Sequence, residues 1–205
     1  MNKTMLILIP GALLLFTVCG ALAQNNNAAS STDLNIHIRD YCDPKSFNAA
    51  VGPGTCERAG STLNPLSNGA ITFQGFVAEV TLDKSVGAWR FVPSQVKVGD
   101  ETKLHLLNLG GETHTFTEVK KFGGGFVAFL NAASGNPVPA PECAKVVNGN
   151  LVPQPPSEDN VFIPAGASAT VVEHNEGFIK YQCCVHPWMR FTINNPATIT
   201  ATSSR

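Results

Sequence analysis

Three side chains near the C-terminus have the types and the spacing of metal ligands. Cys183, His186 and Met189 stand three residues apart in the segment YQCCVHPWMR, which runs from 181 to 190. A thiolate, imidazoles and a weakly bound thioether form a donor set that suits copper. The segment therefore predicts a copper site, and a second histidine must come from elsewhere in the chain.

The first 23 residues have the organisation of a secretory signal peptide. Lys3 supplies the positive charge, residues 5–18 are largely apolar, and Ala21-Leu22-Ala23 gives a small-x-small cleavage site before Gln24. The apolar run is too short to favour a membrane span. A lipoprotein that uses Cys19 is the weaker alternative, since the residues before it are not small. We therefore expect an exported protein, periplasmic or extracellular.

The composition favours strands and gives no support to a nucleic-acid partner. The formal net charge is −1 and charged residues make up 14% of the chain, so neither a basic surface nor a charged interaction tail is expected. The 18 glycines and 14 prolines, with valine, threonine and phenylalanine between them, are typical of strands joined by turns. No segment of useful length shows helical periodicity. The sequence therefore predicts an all-β protein.

The pattern of apolar and polar residues divides the chain into four segments after the signal peptide. We predict a disordered lead-in over 24–33, an N-terminal extension over 34–69, a main domain over 70–194 and a frayed tail over 195–205. The predicted strands are 34–39, 70–82 with Gly75 as a bulge, 89–98 with Pro93 at an edge or bend, 102–108, 161–163, 169–173, 178–183 and 191–193. Turns are predicted at Gly99-Asp100 and at 175–177. Residues 120–160 form a long, proline-rich insert, which is typical of a functional or a disordered loop.

Five cysteines remain after the signal peptide, an odd number for an oxidising compartment. They are Cys42, Cys56, Cys143, Cys183 and Cys184. One metal-bound thiolate and two disulfides account for this number, although other arrangements fit it as well. We expect Cys42 and Cys56 to close a local loop.

The chain resembles the cupredoxins, the small blue copper proteins, between residues 91 and 193. The shared motifs are F-x-P-x-x-V-x-V-G-D from 91 to 100, a strand that ends in Asn108, H-T-F from 114 to 116, and C-x-x-H-P-W-M from 183 to 189. The short ligand loop is most similar to those of plastocyanin and amicyanin. The resemblance implies a Greek-key β-sandwich, one type 1 copper and single-electron transfer between redox proteins.

By this resemblance the copper ligands are His114, Cys183, His186 and Met189. Thr115 departs from the family pattern, because many members have at this position an asparagine that braces the cysteine loop. A hydroxyl group can make part of that hydrogen bond. The remaining histidines, His37, His105 and His174, have no partner at ligand spacing, and we interpret them as strand or turn residues.

Strand alternation separates the two neighbouring cysteines. Tyr181 and Cys183 belong to the apolar, core-facing side of their strand, whereas Cys184 faces the other side. A dinuclear centre that uses both sulfurs is therefore disfavoured. We predict that Cys184 pairs with Cys143 and fixes the insert beside the ligand loop; the alternative is a free, buried Cys184.

The sequence supplies no open coordination position, general base or substrate pocket, so we expect an electron carrier rather than an enzyme. Pro187 and Trp188 form a rigid, apolar turn that fits a docking surface for redox partners, with the outward edge of His186 as the electron exit. Alternatively, Trp188 packs against the insert. Two other functions stay open: a copper chaperone or storage protein without electron shuttling, and a structural module whose site is empty or filled by zinc.

Overall fold

The computed structural model describes residues 33–58, 70–98, 102–174 and 176–195. The predicted signal peptide, nearly all of the lead-in and the tail beyond 195 lie outside these residues, as does the predicted turn at Gly99-Asp100. Among the described residues, no helix is long and apolar enough to cross a membrane.

Eleven strands and three short helices make up this part of the chain. In order they are β1 (Asp33–Arg39), α1 (Pro44–Ala50), α2 (Phe73–Asp83), β2 (Arg90–Val92), β3 (Gln95–Lys97), β4 (Thr102–Asn108), β5 (His114–Glu118), α3 (Ala128–Ala133), β6 (Ala144–Val147), β7 (Asn150–Pro153), β8 (Asn160–Ile163), β9 (Ser168–Glu173), β10 (Gly177–Gln182) and β11 (Arg190–Asn195).

Two mixed sheets form a β-sandwich. The first has the strand order β2-β1-β4-β9 and the second the order β3-β11-β10-β5-β8, while β6 and β7 form a separate hairpin. Because side chains alternate along each strand, one face of each sheet contributes to a common core. Ile36 and Leu104 of the first sheet lie in the same buried cluster as Phe116 and Phe191 of the second. The predicted Greek-key β-sandwich with a long insert is confirmed.

The segment around Pro93 passes from one sheet to the other. β2 pairs with β1 at the edge of the first sheet, and β3 pairs in parallel with β11 at the edge of the second. The Val92–Pro93 peptide bond between them is cis. The bend predicted at Pro93 is confirmed.

The sandwich begins earlier in the chain than the sequence suggested. β1 lies between β2 and β4 and pairs in parallel with β4 from Asp33 to Ile38. The predicted extension over 34–69 therefore contributes an inner strand of the first sheet, and Asp33, assigned to the lead-in, is the first residue of that strand.

The prediction of a strand over 70–82 was wrong, because residues 73–83 form α2. The side chain of Thr72 caps this helix by accepting a hydrogen bond from the backbone N–H of Gly75 at 3.2 Å. Phe76 and Val80 are buried four residues apart on one face, so the apolar positions follow the period of a helix rather than that of a strand. The expectation that no useful helical segment exists was wrong for the same reason.

Helices α1 and α2 form an N-terminal cap on the sandwich. Phe47 of α1 packs with its ring centroid 5.4 Å from that of Phe76 of α2, and Trp89 lies 5.8 Å and 4.9 Å from these two rings. The predicted Cys42–Cys56 disulfide is present and closes the segment that contains α1. Buried aromatic rings thus hold the cap on the protein.

The insert is ordered and lies against the strand that leads to the predicted ligand loop. Within the insert, Gly124 N–H donates to Val138 O (2.7 Å) and Gly124 O accepts from Ala140 N–H (2.8 Å). The predicted Cys143–Cys184 disulfide is present. Both sulfur-bearing residues belong to a small buried cluster with Val119 and Ala140. The prediction that the disulfide fixes the insert beside the ligand loop is confirmed.

Replacement of both Cys143 and Cys184 by alanine removes a link between residues 41 positions apart. In the chain-entropy description, such a loop corresponds to about 4 kcal/mol of unfolding free energy. We expect denaturant unfolding to show a loss of this order. If the double variant unfolded at the same midpoint concentration of denaturant as the wild type, a stabilising role for this disulfide would be contradicted.

Candidate metal centre

Neighbouring strands of the second sheet bring the predicted ligands together. His114 is the first residue of β5, and Cys183 directly follows β10, which pairs with β5 through Gln182 and Thr117. The loop after Cys183 closes on itself, since Cys183 N–H donates to Met189 O (3.0 Å) and Met189 N–H donates to His186 O (2.9 Å). The chain therefore returns within six residues and presents several side chains to one point.

Cys183, His114 and His186 form a compact, buried cluster. The Cys183 sulfur lies 3.7 Å from His114 Nδ1 and 3.8 Å from His186 Nδ1. The three residues are between 0% and 1% exposed. Cys183 is also the one free cysteine among the described residues. Their potential donor atoms all lie within 4.8 Å of one another, which is close enough to bind one metal ion.

The spacing of these atoms fits a metal site. A first-row ion bonded at about 2.3 Å to sulfur and about 2.0 Å to nitrogen holds a trigonal or tetrahedral sulfur–nitrogen pair about 3.5 to 3.7 Å apart. The sulfur–nitrogen distances of 3.7 and 3.8 Å are close to this range. A thiolate with two imidazoles is a donor set that suits copper.

Met189 closes the same loop through its backbone. Its side chain is buried and belongs to the core cluster that also contains Cys183. The hydrogen bonds of Met189 with Cys183 and His186 hold its backbone beside two of the three clustered residues. Its role as the weak axial ligand remains a prediction.

Each clustered histidine has a carboxylate at its far ring nitrogen. His114 Nε2 lies 2.8 Å from Asp40 Oδ2, and His186 Nε2 lies 3.5 Å from Glu112 Oε2. Trp89 Nε1 also donates a hydrogen bond to Glu112 Oε2. Metal-binding histidines commonly use such partners to fix the ring orientation and the tautomer. Because these contacts use the Nε2 atoms, the Nδ1 atoms are left to face Cys183.

The sequence analysis did not identify Asp40 or Glu112 as part of the site. The available signal was the pair Gly110-Gly111, three residues before His114. A Cβ atom on Gly110 would lie 1.9 Å from Asp40 Oδ2, and one on Gly111 would lie 2.0 Å from Arg58 O. Two adjacent glycines can mark a close backbone approach, and here Gly110 admits Asp40 to the site while Gly111 leaves room for Arg58.

The pKa values of the cluster favour charged side chains in the metal-free protein. Burial alone raises the pKa of Cys183, but the contacts with His114 and His186 outweigh burial and hold the pKa well below its ordinary value of 9.0. Burial lowers the pKa of His114, but Asp40 and Cys183 outweigh it and raise this pKa from 6.5 to about 10. A thiolate next to an imidazolium results, and a metal that binds at Nδ1 must displace a proton.

The two nearby carboxyl groups differ in their pKa values. Burial raises the pKa of Asp40, but the contact with His114 and the backbone donors Gly111 and Glu112 bring it below the ordinary value. Burial raises the pKa of Glu112 above the ordinary value, and the negative charge of Asp40 adds to this increase, although His186 opposes it. Asp40 is therefore the more strongly acidic of the two.

Thr115 braces the cysteine loop through its side chain. Its Oγ1 accepts a hydrogen bond from the backbone N–H of Cys184 at 2.7 Å, and it lies 2.9 Å from Thr117 Oγ1. Thr117 Oγ1 in turn donates to Asn160 Oδ1 at 2.7 Å. The prediction that a hydroxyl can supply part of the asparagine's hydrogen bonding is confirmed.

The prediction that an edge of the His186 ring faces outward was wrong, because the cap covers this side chain. Its ring lies 5.4 Å from Trp188, 6.1 Å from Phe76 and 6.4 Å from Trp89, measured between ring centroids. His186 is 1% exposed and Pro187 is also buried. Trp188 packs on Phe76 of α2 with centroids 5.8 Å apart. Trp188 therefore packs on an aromatic ring of the cap and not on one of the insert.

The other histidines lie elsewhere on the sandwich. His105 of β4 has its Nε2 atom 3.6 Å from Asp33 and its Nδ1 atom 3.2 Å from Thr170. His37 lies in β1 and His174 directly follows β9. These positions agree with the interpretation of the three histidines as strand or turn residues.

Comparisons with known proteins give structural neighbours only. No family model matches the chain, and no curated protein matches it in sequence. Among solved structures, a purple cupredoxin from Nitrosopumilus maritimus is similar, with 15% identity over 80% of this chain and 99% of that one and a TM-score of 0.36. A Cu(I) amicyanin variant has 12% identity over 52% and 72% of the two chains, with a TM-score of 0.31. A reduced amicyanin variant has 15% identity over 58% and 88%, with a TM-score of 0.32.

The strand order brings the clustered residues together. β5 and β10 are neighbours in the second sheet, and the loop between β10 and β11 carries Cys183 and His186. An all-β sandwich with this arrangement is what the sequence motifs predicted.

The pKa values predict an unusual pH dependence for the metal-free protein. Below about pH 9 and above the lowered pKa of Cys183, the folded protein holds one proton on His114 and none on Cys183, whereas above about pH 6.5 the unfolded chain holds one on the thiol and none on the imidazole. Equal proton numbers make the contribution of this pair to the free energy of unfolding independent of pH. We expect a plateau in this range and a decline on both sides of it.

The decline has a defined cause on each side. Above about pH 9 the unfolded thiol loses its proton before His114 does. Below about pH 6.5 the unfolded imidazole gains a proton, whereas the folded pair gains one only below the lowered pKa of Cys183. In a Cys183→Ser variant the contribution of this pair to the acid-side decline should disappear, because no thiolate remains to be protonated. Denaturant titrations at several pH values measure this. A wild-type slope near 1.4 kcal/mol per pH unit between pH 6.5 and 9 would contradict the assignment.

Proposed function

We propose that the cluster binds one copper ion as a type 1 site and that the protein carries single electrons between redox partners. The observation that supports this most strongly is the buried sulfur with two Nδ1 atoms at 3.7 and 3.8 Å. In this proposal Cys183, His114 and His186 are the strong ligands and Met189 is the weak axial one. Copper supplies a centre that accepts and releases one electron by alternating between Cu(II) and Cu(I).

The residues around the cluster would keep the ligand positions unchanged between the two oxidation states. Thr115 Oγ1 accepts the Cys184 N–H, and Phe126 N–H donates to Cys184 O at 2.9 Å. The disulfide to Cys143 fixes the Cys184 side chain. With its N–H, its carbonyl and its sulfur all engaged, Cys184 gives the neighbouring Cys183 little freedom to move. Such rigidity favours fast electron transfer, because little rearrangement accompanies the change in charge.

We infer an electron carrier rather than an enzyme because the proposed ligands are buried. His114, Cys183, His186 and Met189 are each 1% exposed or less, so a substrate would have to displace the cap to reach a metal in the cluster. Electrons can cross a layer of packed side chains, whereas substrates cannot. Redox proteins remain the proposed partners.

The proposed route for electrons passes through the cap. The sequence analysis predicted that electrons leave through an exposed edge of His186. The rings of Trp188 and Phe76 cover this side chain instead. Trp188 is only partly buried. We therefore propose that a partner docks over α2 and Trp188, outside the aromatic layer. The signal-like segment at 1–23 supports the proposal that this takes place outside the cytoplasm, in the periplasm or the extracellular space.

A copper-loaded sample tests the proposed centre. Wild-type protein with Cu(II) should show an intense visible absorption band from the copper–thiolate bond. Cys183→Ser should lose this band, because the hydroxyl cannot replace the thiolate. The double Cys143→Ala/Cys184→Ala variant is the matched control and should keep the band, since the two sulfurs that it removes are bonded to each other in the wild type and are not proposed ligands. A colourless Cu(II)-loaded wild type would contradict a type 1 site.

Copper storage or delivery is a second candidate, favoured by the cover over His186. A storage protein needs a closed site, and the cap provides one. Electron self-exchange of the loaded protein, measured by line broadening in mixtures of the two oxidation states, separates the functions. A carrier should exchange rapidly despite the cap. Slow exchange with a bound, blue copper would favour storage.

A further inference from the structure

The two carboxylates behind the histidines form one buried unit. Asp40 and Glu112 are 0% and 7% exposed. We propose that Asp40 is a positioning residue for His114 and that, together with Glu112, it biases bound copper toward the oxidised state. This inference rests on the proposed function, because it concerns the copper that His114 and His186 would hold.

The hydrogen bonds of Asp40 define its charge. Oδ1 accepts from the backbone N–H of Gly111 (2.8 Å) and of Cys42 (3.3 Å), and Oδ2 accepts from the N–H of Glu112 (3.1 Å). His114 Nε2 is the fourth group, at 2.8 Å from Oδ2. Three of these four partners are backbone N–H donors, an arrangement that favours the ionised carboxylate. His114 Nε2 then donates the fourth hydrogen bond to Asp40.

This charge fixes the state of the His114 ring. With a proton on Nε2, directed at Asp40, a metal-bound imidazole presents the lone pair of Nδ1 toward Cys183. A carboxylate partner also increases the electron density that the imidazole offers to a metal. Asp40 thus selects the tautomer and the orientation that binding requires, although it does not touch the metal itself.

Glu112 repeats the arrangement more weakly at His186. Its Oε2 atom lies 3.5 Å from His186 Nε2 and accepts a hydrogen bond from Trp89. The backbone N–H of Glu112 also donates to Asp40. One short segment therefore connects both carboxylates, but the longer distance gives Glu112 the smaller expected effect.

A buried negative charge favours Cu(II) over Cu(I), because the oxidised ion carries one more positive charge. The attraction between charges is stronger in the protein interior than in water. Reduction adds one electron, supplied by a redox partner or an electrode, and breaks no bond. The negative charge of a buried carboxylate makes this step less favourable, so removing that charge should raise the reduction potential.

A purely structural role is the competing explanation for Asp40. Asp40 also connects the backbone of the Cys42–Cys56 loop to that of Gly111. Loss of this connection would lower the stability of the fold but would not by itself raise the potential. The midpoint potential of the copper protein therefore separates positioning and charge from structure alone.

The experiment compares the midpoint potentials of three variants with that of the wild type. Asp40→Asn removes the closer charge, and Glu112→Gln removes the second while its amide oxygen can still accept from Trp89 and His186. Glu173→Gln is the control, because Glu173 is a buried carboxylate that accepts from the Tyr181 hydroxyl at 2.7 Å and lies in β9. Unfolding of each variant is measured in parallel.

We expect Asp40→Asn to shift the ratio of Cu(I) to Cu(II) affinity at least tenfold toward Cu(I). This equals a rise of about 59 mV for one electron. Glu112→Gln should give a smaller rise, and Glu173→Gln should give none. An unchanged or lowered potential in Asp40→Asn, or an equal rise in the Glu173 control, would overturn the inference.

A measurement on the wild type covers the case in which Asp40→Asn does not fold. In zinc-loaded protein, which is diamagnetic, nitrogen NMR should show a proton on His114 Nε2 that is protected from exchange. If Nε2 carried no proton, or a proton that exchanges rapidly with water, the positioning role would be overturned. An unchanged potential in Glu112→Gln would then overturn the redox bias. Wild-type protein without a copper–thiolate band would instead refute the proposed function, while the zinc-loaded sample would still test Asp40.

Discussion

The end of β10 places two adjacent cysteines on opposite sides of one strand, and the arrangement of the site depends on this separation. Cys183 enters the sandwich core next to His114 and His186, while Cys184 enters a smaller cluster and pairs with Cys143. In an oxidising compartment two neighbouring thiols would otherwise compete for the same partners. The alternation of the strand gives one sulfur to a disulfide and leaves the other free.

The insert and the cap surround the cluster from different directions. The insert holds Cys184 through a disulfide and a backbone hydrogen bond, and Gly125 packs so closely that a Cβ atom there would lie 1.6 Å from Cys184 O. Phe76 of the cap and Trp188 of the ligand loop cover His186 with their rings. Both additions enclose the site, and Asp40 and Glu112 lie inside it beside the two histidines.

The sequence was most informative where the chemistry depends on local spacing. The positions of Cys183 and His186, the two disulfides and the bend at Pro93 all follow from short motifs or from strand alternation. It failed for α2, because Ile71 to Leu82 contains apolar residues that satisfy both a period of two and a period near 3.6; the Thr72 cap and the Phe76–Val80 face decided the outcome. The burial of His186 could not be predicted once α2 had been assigned as a strand. Asp40 lies 74 residues before His114, and no local pattern reports a contact at that separation.

In the proposed site, one sulfur and two imidazole nitrogens, from Cys183, His114 and His186, bind a single copper ion. X-ray absorption of the copper-loaded protein measures these bonds directly. We expect one short copper–sulfur contact and two copper–nitrogen contacts near 2.0 Å, roughly the lengths that first-row ions show with these donors. A copper environment of nitrogen and oxygen alone, with no short sulfur contact, would contradict it.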